Sequence, residues 1–90
     1  MTFDWDAGNV EHIAQHGITP EECEEAYRNG AIVIGHTTRN DERRKLCLSK
    51  TDAGRLLTFV FTERKSGIRF VTAYPMHKMQ REIYRREVER

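Results

Sequence analysis

Ninety residues with an apolar fraction of 38% make one small domain over residues 1–90, with a single thin core. The formal net charge is only +1, but residues 1–30 carry seven acids and one base while residues 31–90 carry fourteen bases and seven acids. No apolar run is long enough to cross a bilayer and no charged-then-apolar leader opens the chain, which excludes a helical membrane protein and points to a soluble, cytoplasmic one.

Thr2–Trp5 alternates as an edge strand would. Asp6 has the place of a helix N-cap, with Trp5 and Val10 at the spacing of a hydrophobic staple. The helix should run from Ala7 to His16 and stop at Gly17. Val10, Ile13 and Ala14 share one face of it, and Asn9, His12 and His16 the other. That second face is a polar stripe, either at a site or partner surface or simply solvated. His12 and His16 have the i, i+4 spacing of metal ligands, but no third ligand lies near, so no metal is expected. Thr19 and Glu22 form a capping box and Pro20 takes the first helical position. This second helix should end at Asn29-Gly30 with Cys23, Ala26 and Tyr27 inward. Its acids suit the helix dipole as a solvated face. Cys23 and Cys47 have neither metal nor redox-motif spacing and read as buried, reduced thiols.

Ala31–Ile34 reads as a short buried strand, and the polar stretch Thr37–Arg43 as a loop. Three strands follow between Arg44 and Tyr74, with turns at Thr51–Gly54 and Glu63–Gly67. Closing the hairpins at Lys50–Arg55 and Thr62–Ile68 aligns Leu46-Phe59-Val71, Leu48-Leu57-Ala73 and Arg44-Phe61-Arg69 on one face; a one-residue slip would swap the faces. Pro75 breaks the last strand. Met76–Val88 then forms a terminal helix that docks through Met76, Met79, Ile83 and Tyr84, with Lys78, Arg81, Arg85 and Arg86 largely off the docking face.

No nucleophile elbow, phosphate-binding glycine loop or zinc pattern is present. What remains is basic. The charge split suits a polyanionic partner, or attraction between the two ends of the chain. Arg44 and Arg69, two strand spacings apart, would stand roughly 10 Å from each other and could bracket a phosphodiester. They could equally be surface arginines paired with Glu63.

Phe3-Asp4-Trp5-Asp6 with Asn9–Glu22, then Gly54–Leu57, Thr62-Glu63-Arg64, Ile68–Ala73, Pro75-Met76 and Tyr84, resembles the BrnT family of toxins over nearly the whole chain. The resemblance implies an α+β, RelE-like fold: a small antiparallel β-sheet with two N-terminal helices and one C-terminal helix. It implies an endoribonuclease that blocks translation, held by a ribbon-helix-helix antitoxin in a homodimer or a 2:2 complex, with operator DNA read through the antitoxin. No cofactor or metal is implied. Arg44 and Arg69 would clamp phosphate, Lys50 would assist from a strand end, and His36 or His77 would carry protons. Arg64, Lys78, Arg81 and Arg85 would bind RNA. The chain departs from the family pattern at Tyr74, where an arginine is common, and at Gln80, where a glutamate is common. A non-catalytic RNA-binding or antitoxin-binding protein of the same fold, a degenerate toxin, is the alternative.

Overall fold

A computed structural model describes residues 2–89. Two helices, α1 (Ala7–Ala14) and α2 (Pro20–Arg28), precede four strands, β1 (Ile32–Arg39), β2 (Glu42–Lys50), β3 (Leu56–Arg64) and β4 (Gly67–Pro75), and α3 (Lys78–Val88) closes the order. The α+β class is as expected from the sequence. Among the described residues no helix is long and apolar enough to cross a membrane.

Local chemistry sets the helix ends. The Asn9 amide donates to the Asp6 carboxylate at 3.2 Å, and the Asn9 side-chain oxygen accepts from the Asp6 amide at 2.9 Å. Thr19 and Glu22 make the reciprocal pair at the start of α2, at 3.2 and 3.1 Å. α1 is shorter than expected, and Gly17 turns the chain with φ +73°.

The strands form one antiparallel meander in the order β1-β2-β3-β4. The polar stretch expected as a loop is instead the tip of a β1–β2 hairpin. Asn40 and Asp41 sit at φ +52° and +63°, the conformation a two-residue hairpin turn demands and Asn and Asp tolerate. The pairing along this hairpin then supplies the ladder hydrogen bonds that the polar side chains alone did not advertise. Val33 on this edge strand is 44% exposed, so the expected buried strand is only half buried.

Both remaining hairpins slip one residue from the expected register. The β2–β3 loop takes in Arg55, whose amide donates to the Thr51 hydroxyl at 3.0 Å, so Lys50 faces Leu56 rather than Arg55. The β3–β4 turn is Lys65-Ser66, which sets Thr62 opposite Arg69 rather than Ile68. Phe59 therefore lies between Cys47 and Ala73, and Leu46 aligns with Val60 and Thr72. The faces of β3 are thereby swapped relative to β2, whereas beyond the bulge at Val60/Phe61 the shift on β4 grows to two residues and Leu57 and Phe59 keep the face of Ala73, as expected.

One face of the sheet packs on α1 and α2. Ile13, Ile18, Cys23 and Ala26 from the helical layer meet Cys47, Leu57, Phe59, Phe70 and Ala73. Phe70 stacks on Trp5 at 5.2 Å and meets Phe59 edge-on at 5.4 Å. Cys23 and Cys47 are buried free thiols, as expected. The other face carries Leu48, which packs with Met76 and Tyr84, backed by Ile32, Leu56 and Ile83.

Two helix faces differ from expectation. Asn9 is buried and Ala14 exposed, because the Asn9 carboxamide donates to the Asp4 and Phe70 carbonyls and ties α1 to the free edge of β4. Met79 is 71% exposed, because α3 starts at Lys78 and turns Gln80, Ile83 and Tyr84 inward instead. Thr2–Trp5 contributes only one parallel bridge, Phe3 to Ile68, rather than a strand. Part of the charge split closes internally: Arg55 pairs with Glu22 at 3.0 Å, and Arg69 with Asp6 at 3.0 Å.

Candidate functional site

Arg44, Thr62 and Arg69 form one row across β2, β3 and β4. Both hairpins slip in the same direction, so the two arginines stay aligned while the residue between them changes from Phe61 to Thr62. Two strand spacings hold their backbones roughly 10 Å apart. The row lies on the sheet face that α3 only partly covers. α1, tethered by Asn9 at the β4 edge, adds Gly8 and His12 beside it. The result is a concavity of about 290 Å³ lined by Arg44, Arg64, Arg69, His12, Gly8, Asn9, Phe70 and Val71.

Carboxylates hold all of its guanidinium groups. Arg69 binds Asp6 through both terminal nitrogens, at 3.0 and 3.2 Å, and approaches Asp4 at 3.6 Å. Arg64 donates to Glu42 at 2.9 Å, and Arg44 reaches the same carboxylate at 3.4 Å. Glu42, not Glu63, is thus the partner of Arg44. The hydrogen bond from Arg69 holds the Asp6 carboxyl below its usual range, and that from Arg64 does the same for Glu42. The Nε of Arg44 is buried with no hydrogen-bond partner among the described residues, a costly state for a cationic donor.

His12 extends the site along β4. Its Nε2 lies 3.1 Å from the Thr72 hydroxyl. A line of rings continues from it, His12 to His16 at 5.8 Å, His16 to Tyr74 at 6.1 Å and Tyr74 to His77 at 5.1 Å. His16, Thr72, Tyr74, Pro75 and His77 line a second hollow of about 400 Å³. Gln80 braces it: its amide donates to the Tyr74 hydroxyl at 3.2 Å, and its carbonyl accepts from the Thr58 hydroxyl at 2.8 Å and the His77 amide at 2.9 Å. Tyr74 and Gln80 are therefore hydrogen-bonded to each other.

Of the residues singled out from the sequence, Arg44, Arg64 and Arg69 come together. Lys50 lies at the opposite end of β2 from Arg44, roughly 20 Å along the strand. His36 pairs with Lys45, whose ammonium lies over the Phe61 ring, so its side chain stands on the other face of the sheet. His77 caps α3 beside Tyr74. Lys78 and Arg85 are exposed on α3, and Arg81 donates to the Met76 carbonyl at 2.8 Å. The residue underrated from sequence is His12. Its signal was the polar stripe with Asn9 and His16, whose position against β4 depends on tertiary packing. Among the described residues, no group of three or more His, Cys, Asp or Glu is placed to hold a metal.

A larger hollow, of about 560 Å³, lies under the β1–β2 hairpin tip between Asn40 and Glu63; it contains neither Arg44 nor Arg69.

Residues 5–80 match the family described as the ribonuclease toxin, BrnT, of type II toxin–antitoxin systems. No curated relative matches the chain at a significant level.

Proposed function

We propose, from the premise that the chain belongs to the BrnT family of type II toxin–antitoxin ribonuclease toxins, that it cleaves RNA without a metal ion in the arginine concavity. The observation that carries this reading is the Arg44–Thr62–Arg69 row with His12 beside it. Planar guanidinium groups on two sides suit the non-bridging oxygens of one phosphodiester. To enter, the phosphate takes the place of Asp6 and Glu42 on the arginines and gains the unpartnered Arg44 Nε.

The 2′-hydroxyl of the RNA attacks the adjacent phosphorus and loses its proton to a base. The 5′-oxygen of the next nucleotide leaves and takes up a proton. The products are a 2′,3′-cyclic phosphate and a 5′-hydroxyl. Arg44 and Arg69 stabilise the added negative charge of the phosphorane-like transition state. His12 moves the proton, since it is the histidine that lines the concavity and an imidazole can both accept and donate a proton. Arg64 holds a neighbouring phosphate. His77, Lys78 and Arg85 lie further along the path of the strand.

Family membership implies an antitoxin partner. We assign it a ribbon-helix-helix protein that forms a 2:2 complex and carries the operator-binding surface, and we assign the toxin cleavage of cytoplasmic RNA and so the arrest of translation. The second reading, a non-catalytic RNA- or antitoxin-binding protein, draws on the self-pairing of the arginines, which leaves the concavity close to neutral before a ligand arrives.

Purified chain with defined RNA in EDTA tests both readings. Cyclic-phosphate ends that disappear in Arg69→Ala, and fall steeply in His12→Ala, are the expected result. Intact RNA with and without ribosomes would remove the nuclease reading and leave the binding one.

A further inference from the structure

We infer that Tyr74, flanked by His16 and His77, is a stacking platform for an unpaired base of the RNA whose phosphate sits on Arg44 and Arg69. The inference rests on the RNA reading of the arginine concavity and adds the class of substrate: a single-stranded segment. Three observations carry it. The hollow around Tyr74 has ring edges and faces on three sides, His16 at 6.1 Å, His77 at 5.1 Å and the Pro75 ring at its rim. Tyr74 is only half buried, while Gln80, itself held by the Thr58 hydroxyl, donates to its hydroxyl, so the ring is held still with surface left to stack on. The hollow also adjoins the concavity: Thr72, which lines it, meets His12, which lines the other.

This is the two-part construction that single strands require: cations that follow the backbone and aromatic faces that receive bases. A duplex keeps its bases stacked on each other and offers no free face. Charge complementarity favours RNA as the occupant over an acidic peptide, since the hollow itself carries histidines and no lysine or arginine. A peptide would need its acids there.

The test reads binding apart from cleavage. The probe is a short single-stranded RNA with 2′-O-methyl groups, which cannot form the cyclic phosphate, carrying one 2-aminopurine. Wild type and Tyr74→Phe should bind alike and quench the fluorophore, because the ring is kept. Tyr74→Ala should bind about 10-fold more weakly and lose the quench. The gap between Tyr74→Ala and wild type should close when the probe carries an abasic site in place of the fluorophore. His77→Ala should give a smaller loss of the same kind, and thermal unfolding of each variant shows that it is folded. Equal binding by wild type and Tyr74→Ala, with Arg44→Ala and Arg69→Ala still weakened, would overturn the platform while leaving the RNA reading intact, and the hollow would pass to a protein partner. Failure of wild type to bind the probe at low salt would overturn the platform together with the reading beneath it.

Discussion

The two faces of the sheet are made from alternate residues of the same strands, yet they solve different problems. On the α1/α2 face, Phe59, Phe70, Leu57, Cys47 and Ala73 are fully buried under Ile13, Ile18, Cys23 and Ala26. On the other, α3 covers only the end that carries Leu48 and Leu56, and leaves Arg44, Arg69 and Thr72 partly open. Stability is concentrated on the first face, and the candidate chemistry on the second. The contrast shows how a thin core and a charged site share one small chain. Period-two alternation lets each strand serve both, and a short terminal helix seals one half of the second face without closing the rest.

The sharpest way to break the contrast is to open the sealed face. Phe70→Ala removes a buried ring that touches Phe3, Trp5, Tyr27 and Phe59, and should cost about 3–5 kcal/mol. Ile83→Ala, on the half-buried underside of α3, should cost about half that or less. Equal losses in urea unfolding would show that the two faces contribute alike.

Gly67→Ala comes next. Gly67 has φ +122°, and a Cβ there would run into the Thr2 carbonyl. The bond from the Ile68 amide to that carbonyl, 2.9 Å, should be lost and the amino-terminal segment released from β4. Roughly 1–3 kcal/mol of stability should go with it. Hydrogen exchange should speed up at Ile68 and Asp4 first; unchanged protection there would refute the docking.

The thiols probe the same seal by pH. Burial pushes the Cys23 thiol up to about 12 and the Cys47 thiol up to about 11. Their folded-state values lie above their unfolded ones, so their contribution is whole below pH 9 and is lost as pH rises toward 11 and 12. Near pH 10 the loss should be on the order of 1 kcal/mol per thiol. A disulfide reagent at neutral pH should react only as fast as the chain opens. Immediate reaction would mean that the face is not sealed.

The order of elements, the caps at Asp6 and Thr19 and the inward Cys23 and Ala26 were legible because each depends on neighbours a few residues away. Register was not. It depends on whether Arg55 belongs to a loop or a strand, and a hydroxyl bond from Thr51 decides that. The polar β1–β2 hairpin was hidden for a related reason: Asn40-Asp41 is a turn signal, but the flanking residues have no apolar alternation to mark them as strands. The alignment of Arg44 with Arg69 was legible in spite of this, since two equal slips cancel between outer strands. His12 was visible only as part of a stripe, because its value to the site comes from the Asn9 tether that sets α1 against β4. The carboxylates that occupy Arg69 could not be found from spacing, because Asp4 and Asp6 lie more than sixty residues from it in the chain.

Those carboxylates give the smallest effect on stability and the finest test of the open face. Asp6→Asn keeps the side-chain acceptor that caps α1, since Asn is as good an N-cap as Asp, but removes the charge that holds Arg69. Because Arg69 lowers the Asp6 pKa in the folded state, the stability Asp6 contributes is present above its unfolded value near 3.8 and is lost as pH falls through the folded one. The carboxylate is solvent-exposed, so Asp6→Asn should shift the unfolding midpoint only slightly at pH 7 and not at all in strong acid. RNA binding should move the other way. A phosphate entering the wild-type site must displace Asp6 from Arg69, whereas in Asp6→Asn the guanidinium waits with one fewer anion. Affinity for single-stranded RNA should therefore rise several-fold at low salt, and the gain should shrink as salt screens the competing charges. Weaker binding by Asp6→Asn would mean that the carboxylate positions Arg69 for the phosphate instead of competing with it, and the concavity would then be a site that is pre-organised by its acids.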